Sequence, residues 1–451
     1  MGDTLRKRTW LLSAVLLASG LTPLALTAPA SAATVAGKKQ AGAVVVVWGT
    51  AHGPDFAKRS VITQNTPYIA GTAETDDFFG QKITPADMNK DGYGDLVVTA
   101  PGEDDGSYHG TFTILWGSKS GLTNGTSFKS PDCKACGFAK DVAVGDFTAD
   151  GKPDVVAITD DYVYVERGPF TKTGGHGKAT NLDPVNGEDI KPDLVVSGKV
   201  TKDGTADFAV LGYDVDTRTN RVWFYRGRSG GPAAPPRKIG LPSSGDDTHA
   251  SAAIADFDRD GYGDLAIGVP RSGKGGAVHV LKGTSAGPST SVRSITQNTT
   301  GVPGTSEYPD YFGYDVSAGD VNNDGFADLA VGIPMESMEG SVSAGIYPGA
   351  VTVLRGGTGG LTGKASRQYD VRTPGVEGDL GEHSDWLGSS VLLRDFTHDG
   401  RAELVASADG IGRLHYLPGT ASGPTGTGSS LHTVQSLGLG ARPWFGAALA
   451  D

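Results

Sequence analysis

Cysteine is almost absent from this chain: 451 residues carry only Cys133 and Cys136, as Cys-Lys-Ala-Cys. That count excludes a disulfide-built framework. A zinc centre would need two more ligands, and no histidine stands at matching spacing. In an exported chain the pair is expected to close one small loop disulfide. Histidine is also scarce; the nine are scattered, with no H-E-x-x-H. Apolar positions at 3.6-residue spacing are nearly missing, which excludes a helical domain. Beyond residue 32 no apolar run is long enough to span a bilayer. Basic residues are outnumbered, 39 against 51 acidic, and the formal charge of −12 argues against nucleic acid or anionic lipid as partner.

Glycine is abundant, at 68 residues, beside 25 prolines, so the chain reads as short strands joined by turns. Its first residues have the form of an export leader: Arg6, Lys7 and Arg8, an apolar stretch from Trp10 to about Leu26, then Ala30-Ser31-Ala32 before Ala33. A signal peptide over 1–32 is expected, cut after Ala32, with a secreted, soluble and monomeric product. Cleavage would remove two net positive charges and leave −14.

One acidic motif is written five times. Oxygen-bearing side chains stand first, third, fifth and ninth around a sixth-position glycine, in Asp87, Asn89, Asp91, Asp95; Asp146, Thr148, Asp150, Asp154; Asp256, Asp258, Asp260, Asp264; Asp320, Asn322, Asp324, Asp328; and Asp395, Thr397, Asp399, Glu403. An oxygen-only cage with a glycine at its sharp turn suits Ca²⁺. Each loop runs into an apolar strand such as Leu96-Val97-Val98 or Leu329-Ala330-Val331, so these loops join strands rather than helices. A sixth copy is degenerate, with Lys199, Thr201, Asp203 and Asp207 at the ligand positions. There the lysine is expected to satisfy the two carboxylates and leave the loop without metal.

The loops belong to a longer repeat: a strand ending at the first aspartate, the loop, an apolar strand, a third strand ending in glycine, and a fourth leading out. Seven third strands can be counted, from Val44–Trp48 to Leu414–Leu417. The fold expected is all-β, a seven-bladed β-propeller of four-stranded antiparallel blades, its last blade shared between the termini. The expected blades cover about 79–130, 138–186, 190–241, 248–300, 312–372 and 386–436, with 42–66 and 445–451 closing the seventh. The chain stops at the first position of a further loop, so either the natural sequence runs on or blade seven is incomplete; the first is the expectation, because an absent second strand leaves backbone groups unpaired in a sheet interior.

These residues resemble the FG-GAP repeat of the integrin α-subunit N-terminal propeller. The phenylalanine-glycine pair appears as Phe79-Gly80, Phe312-Gly313 and Phe445-Gly446, with Trp386-Leu387-Gly388 and Phe138-Ala139 as variants. Phe79, Phe312 and Trp386 are expected to pack between blades. The resemblance, with the acidic loops, implies a calcium-binding extracellular scaffold for adhesion. Its ligand, protein or glycan, would meet the rim opposite the loops, where Asp76, Phe78, Tyr108, Tyr308, Tyr311 and Asp385 are the candidates. A propeller lectin, and a hydrolase or polysaccharide lyase with a rim site, are the alternatives. Two G-x-S-x-G matches, at Gly283–Gly287 and Gly227–Gly231, fall in hairpin turns and lack the strand-to-helix turn of a nucleophile elbow. No catalytic residue is assigned.

Overall fold

In a computed structural model, residues 24–28, 35, 37–104, 109–129, 137–182, 190–242, 251–337, 346–378, 385–437 and 448–449 are described. Among them there is no helix. Six sheets are complete meanders of four consecutive antiparallel strands. In the first, Ile83–Ala86, Asp95–Asp104, His109–Trp116 and Asn124–Phe128 run from inside to outside. Alternating side chains put apolar residues on both faces, because each sheet is covered on both sides by its neighbours. Val44, Val46, Ile83 and Leu96 share one core, Phe112 and Phe138 the next, and Leu392, Tyr416, Val45 and Leu449 the last. Seven cores each lie between two successive sheets, so the array closes on itself as a β-propeller.

The expectation of seven like blades, with the last built from 42–66 and 445–451, needs correction. The remaining sheet is composite, in the order Ala448–Leu449, Leu24–Ala28, Ala43–Thr50, Gly53–Ile62. Leu24–Ala28 takes the second-strand position, pairing Leu24 with Val47 and Ala28 with Ala43 on one side and Leu26 with Leu449 on the other. This segment lies within the stretch read as an export leader. Its placement follows from the unmet hydrogen-bonding groups that a missing second strand would leave in a sheet interior.

Two devices hold blade to blade. In three repeats the residue ahead of Gly80, Gly313 or Gly388 meets the chain just before the preceding blade's third strand, in bridges Gly42–Phe79, Gly276–Phe312 and Gly349–Leu387. Gly42, Gly276 and Gly349 have φ of 85°, 92° and 79°, and a Cβ on Gly42 would come within 2.0 Å of the Phe79 carbonyl oxygen. Leu387, fully enclosed at 3 % exposure, is therefore the counterpart of Phe79 and Phe312. Trp386 is only half-buried and does not fill that position. Around the inner ring, side chains satisfy the edge backbone of the next blade: Asp141 accepts from Val195 N at 2.9 Å, Asp315 from Val391 N at 2.8 Å and Ser317 Oγ from Leu393 N at 3.0 Å.

Candidate metal loops and the opposite rim

All six acidic loops, the degenerate one included, share one backbone. The fourth residue is left-handed, with φ of 59° at Lys90, 55° at Ala149, 58° at Lys202, 58° at Arg259, 61° at Asn323 and 60° at His398. The sixth-position glycines, from Gly92 to Gly400, are left-handed too. This turn brings the first carboxylate under the loop. Asp87 accepts from Asp91 N at 3.1 Å and Gly92 N at 2.9 Å; Asp256 accepts from Asp260 N at 3.1 Å and Gly261 N at 2.7 Å. Asp146, Asp320 and Asp395 repeat the pattern. The fifth carboxylate folds back onto the amide two residues on, as from Tyr93, Lys152, Tyr262, Phe326 and Arg401.

The donor set fits a hard cation. Carboxylate oxygens of Asp256, Asp258 and Asp260 lie within 4.8 Å of one another, as do those of Asp395, Asp399 and Glu403. The third-position Asn322 Oδ1 is buried without a hydrogen-bond partner among the described residues, as an oxygen reserved for a metal would be. A basic side chain reaches each fifth-position aspartate: Lys172 to Asp91 at 3.4 Å, Lys152 to Asp150 at 3.6 Å, Lys282 to Asp260 at 3.1 Å, Arg355 to Asp324 at 3.7 Å and Arg401 to Asp399 at 2.9 Å. Lys282 also pairs with Asp258.

The ninth carboxylate has a further task. Asp95 accepts from Met88 N at 2.8 Å and Gly117 N at 2.6 Å; Asp154, Asp264 and Asp328 likewise tie the loop to the glycine after the third strand. Glu403 accepts from Phe396 N at 2.7 Å. Burial pushes Asp95, Asp264 and Asp328 up to about 6, against the backbone amides that lower them. In the degenerate loop Asp207 keeps this bracing, with Gly227 N at 3.0 Å and Thr201 N at 2.8 Å. The cation that meets Asp203 there is Arg226, at 3.0 Å, not Lys199, which is exposed. Sequence reading missed Arg226 because it lies on the neighbouring strand end, 23 residues away.

On the other side, a cavity of about 750 Å³ runs between the inner strands and is lined by Lys82, Asp141, Arg271, Tyr311, Tyr314 and Asp315, among others. Of the rim candidates, Tyr308 is 82 % exposed, Asp76 is exposed, and Phe78 and Tyr311 are half-buried. Tyr311 stacks on Tyr314 with ring centroids 6.5 Å apart. Asp385 is not free to meet a ligand, being buried and paired with Arg413 at 3.1 Å. Tyr108, Cys133 and Cys136 lie outside the described residues, as does Phe445.

Comparison with known proteins agrees with this geometry. The FG-GAP repeat model matches residues 250–281 and 312–354, and the FG-GAP-like repeat model matches 87–157. The chain is 25 % identical over 259 residues to integrin alpha-5 of Xenopus laevis, covering 53 % of this chain and 23 % of that protein. It is 28 % identical over 312 residues to integrin alpha pat-2 of Caenorhabditis elegans, covering 66 % and 22 %. It is 34 % identical over 209 residues to integrin alpha-PS2 of Drosophila melanogaster, covering 44 % and 14 %. Each alignment thus spans under a quarter of the relative's length. Among solved structures, the Dos1 propeller aligns with a TM-score of 0.46 and 9 % identity, over 85 % of this chain and 79 % of that one. No helix of the described residues is long and apolar enough to cross a membrane. Repeat models and relatives converge with the loop geometry: the chain carries FG-GAP repeats over 87–157, 250–281 and 312–354 and is similar in sequence to integrin alpha chains.

Proposed function

We propose that the chain is a secreted, calcium-stapled propeller that serves as an extracellular binding scaffold of the adhesion type. The observation that carries this reading is the shared loop backbone, in which five first-position aspartates are pinned by amides of the fifth and sixth residues. Five acidic turns held in one shape on one rim are a repeated cation cage, and an ion bound there would tie the first strand to the second in each blade. A bound cation would displace the lysines and arginines that meet the fifth-position carboxylates. The integrin relatives support adhesion as the class of function, and the opposite rim, with its cavity, Tyr308 and Asp76, is where a protein or glycan ligand would sit.

The test has two parts. Calcium titration by calorimetry should give binding that Asp256→Ala reduces by one site. A glycan array and a pull-down from extracellular matrix, each run with and without calcium, should return a ligand whose capture Tyr308→Ala weakens. Ligand capture unaffected by changes on that rim would overturn the assignment of the binding face.

A further inference from the structure

Asp77, Asp310 and Asp385 occupy one position in three repeats, each just ahead of the residue pair that meets the preceding blade, and each is at least 96 % buried. A buried carboxylate needs a counter-charge or a proton. In the third copy the protein supplies the charge, through Arg413. Strand register places Thr111 and Ala350 at the arginine's position in the other two. Among the described residues no lysine, arginine or histidine pairs with Asp77 or Asp310.

Those two copies carry a second acid instead. Glu103 and Glu336 stand where the third has Ile411, and Gln64 and Gln297 where it has Val371. Gln297 Nε2 donates to Glu336 at 2.6 Å, and Gln64 Nε2 donates to Glu103. Gln64 Oε1 and Gln297 Oε1 are then left buried with no partner, on side chains 4 % and 2 % exposed. Packing does not demand this polarity. A Cβ built on Gly304 falls 2.6 Å from Gln297 Nε2, one on Gly71 falls 3.2 Å from Gln64 Nε2, and one on Gly378 falls 3.0 Å from Val371. The same junction is built with valine where the arginine is present. Two carboxylates and an orphaned amide oxygen form a set of acceptors lacking a positive centre, and leaving such groups unmatched is costly.

We propose that each Gln–Glu–Asp pocket, Gln64/Asp77/Glu103 and Gln297/Asp310/Glu336, is a cation site separate from the acidic loops, in which a divalent ion takes the part that Arg413 plays beside Asp385. An all-oxygen donor set of two carboxylates and an amide suits Ca²⁺. Backbone amides of Glu74 and Glu307, at 2.5 and 2.7 Å, hold one oxygen of each aspartate and so restrain the carboxylate.

Anomalous diffraction from crystals of the intact chain soaked in strontium tests this directly. Peaks are expected in both pockets and none beside Arg413, and Glu336→Gln should remove its own peak and leave that at Glu103. Equilibrium dialysis should show Glu103→Gln with Glu336→Gln losing two calcium equivalents. If those variants do not fold, Gln297→Val with Glu336→Ile, which copies the third repeat's residues, should fold and lose one. Peaks in the loops with both pockets empty would overturn the inference and leave the loop reading intact. Peaks in the pockets with empty loops would do the reverse.

Discussion

The ninth-position carboxylate braces the fold whether or not a metal is bound. Asp207 makes the bracing contacts in a loop whose first position is Lys199, so those contacts do not depend on a complete ligand set. Asp207→Ala strands buried amides and should cost about 2–3 kcal/mol, equally with calcium or EDTA, in urea melts. The fifth position behaves differently. Asp91→Ala should lower the melting temperature in calcium more than Asp203→Ala does, because only the first removes a proposed ligand; equal losses would erase the distinction between complete and degenerate loops. His415 supplies a pH test. Burial first, then the positive Arg413, holds it down to about 4, whereas the unfolded chain takes up its proton near 6.5. The unfolded state therefore binds more protons between those values, and stability is lost as pH falls through that window. His415→Phe should flatten the acid limb by about 2 kcal/mol between pH 7 and 5, read from urea midpoints.

Among elements, the joint between blades is the sensitive part. A Cβ on Gly276 would sit 2.3 Å from the Phe312 carbonyl oxygen at a φ of 92°, so Gly276→Ala should cost roughly 3 kcal/mol. The same change at Gly357, where a Cβ meets nothing within 4 Å, should be nearly silent; comparable losses at the two sites would refute the joint. Strands and loops were legible in the sequence because spacing and alternation report local structure, and the five acidic motifs announced their turns. What spacing could not show was the partner across space. Trp386 drew the assignment that belongs to Leu387 because an aromatic invites it, while the left-handed backbone at 386 puts the next residue into the joint. The role of Arg226 beside Asp203 was likewise set by a partner across space, and so were those of Asp141 and Asp315, whose targets are backbone amides of the adjoining blade. The second-strand role of Leu24–Ala28 was hidden beneath a composition that also reads as an export leader.

For the whole molecule, charge and closure are linked. The chain carries a formal −12, much of it in loops on one rim, and cations bound there would relieve that repulsion while joining strands within each blade. Ligand binding restricted to the folded state stabilises by mass action, about 2.7 kcal/mol for a site held at a hundred times its Kd. EDTA should accordingly lower the melting temperature by many degrees, and calcium, unlike an equal ionic strength of sodium chloride, should restore it. The most direct measurement is equilibrium dialysis of the intact chain against calcium. The account predicts at least five tightly held equivalents, with one lost for each of Asp87→Ala, Asp146→Ala, Asp256→Ala, Asp320→Ala and Asp395→Ala; a folded protein that retained no calcium would contradict it.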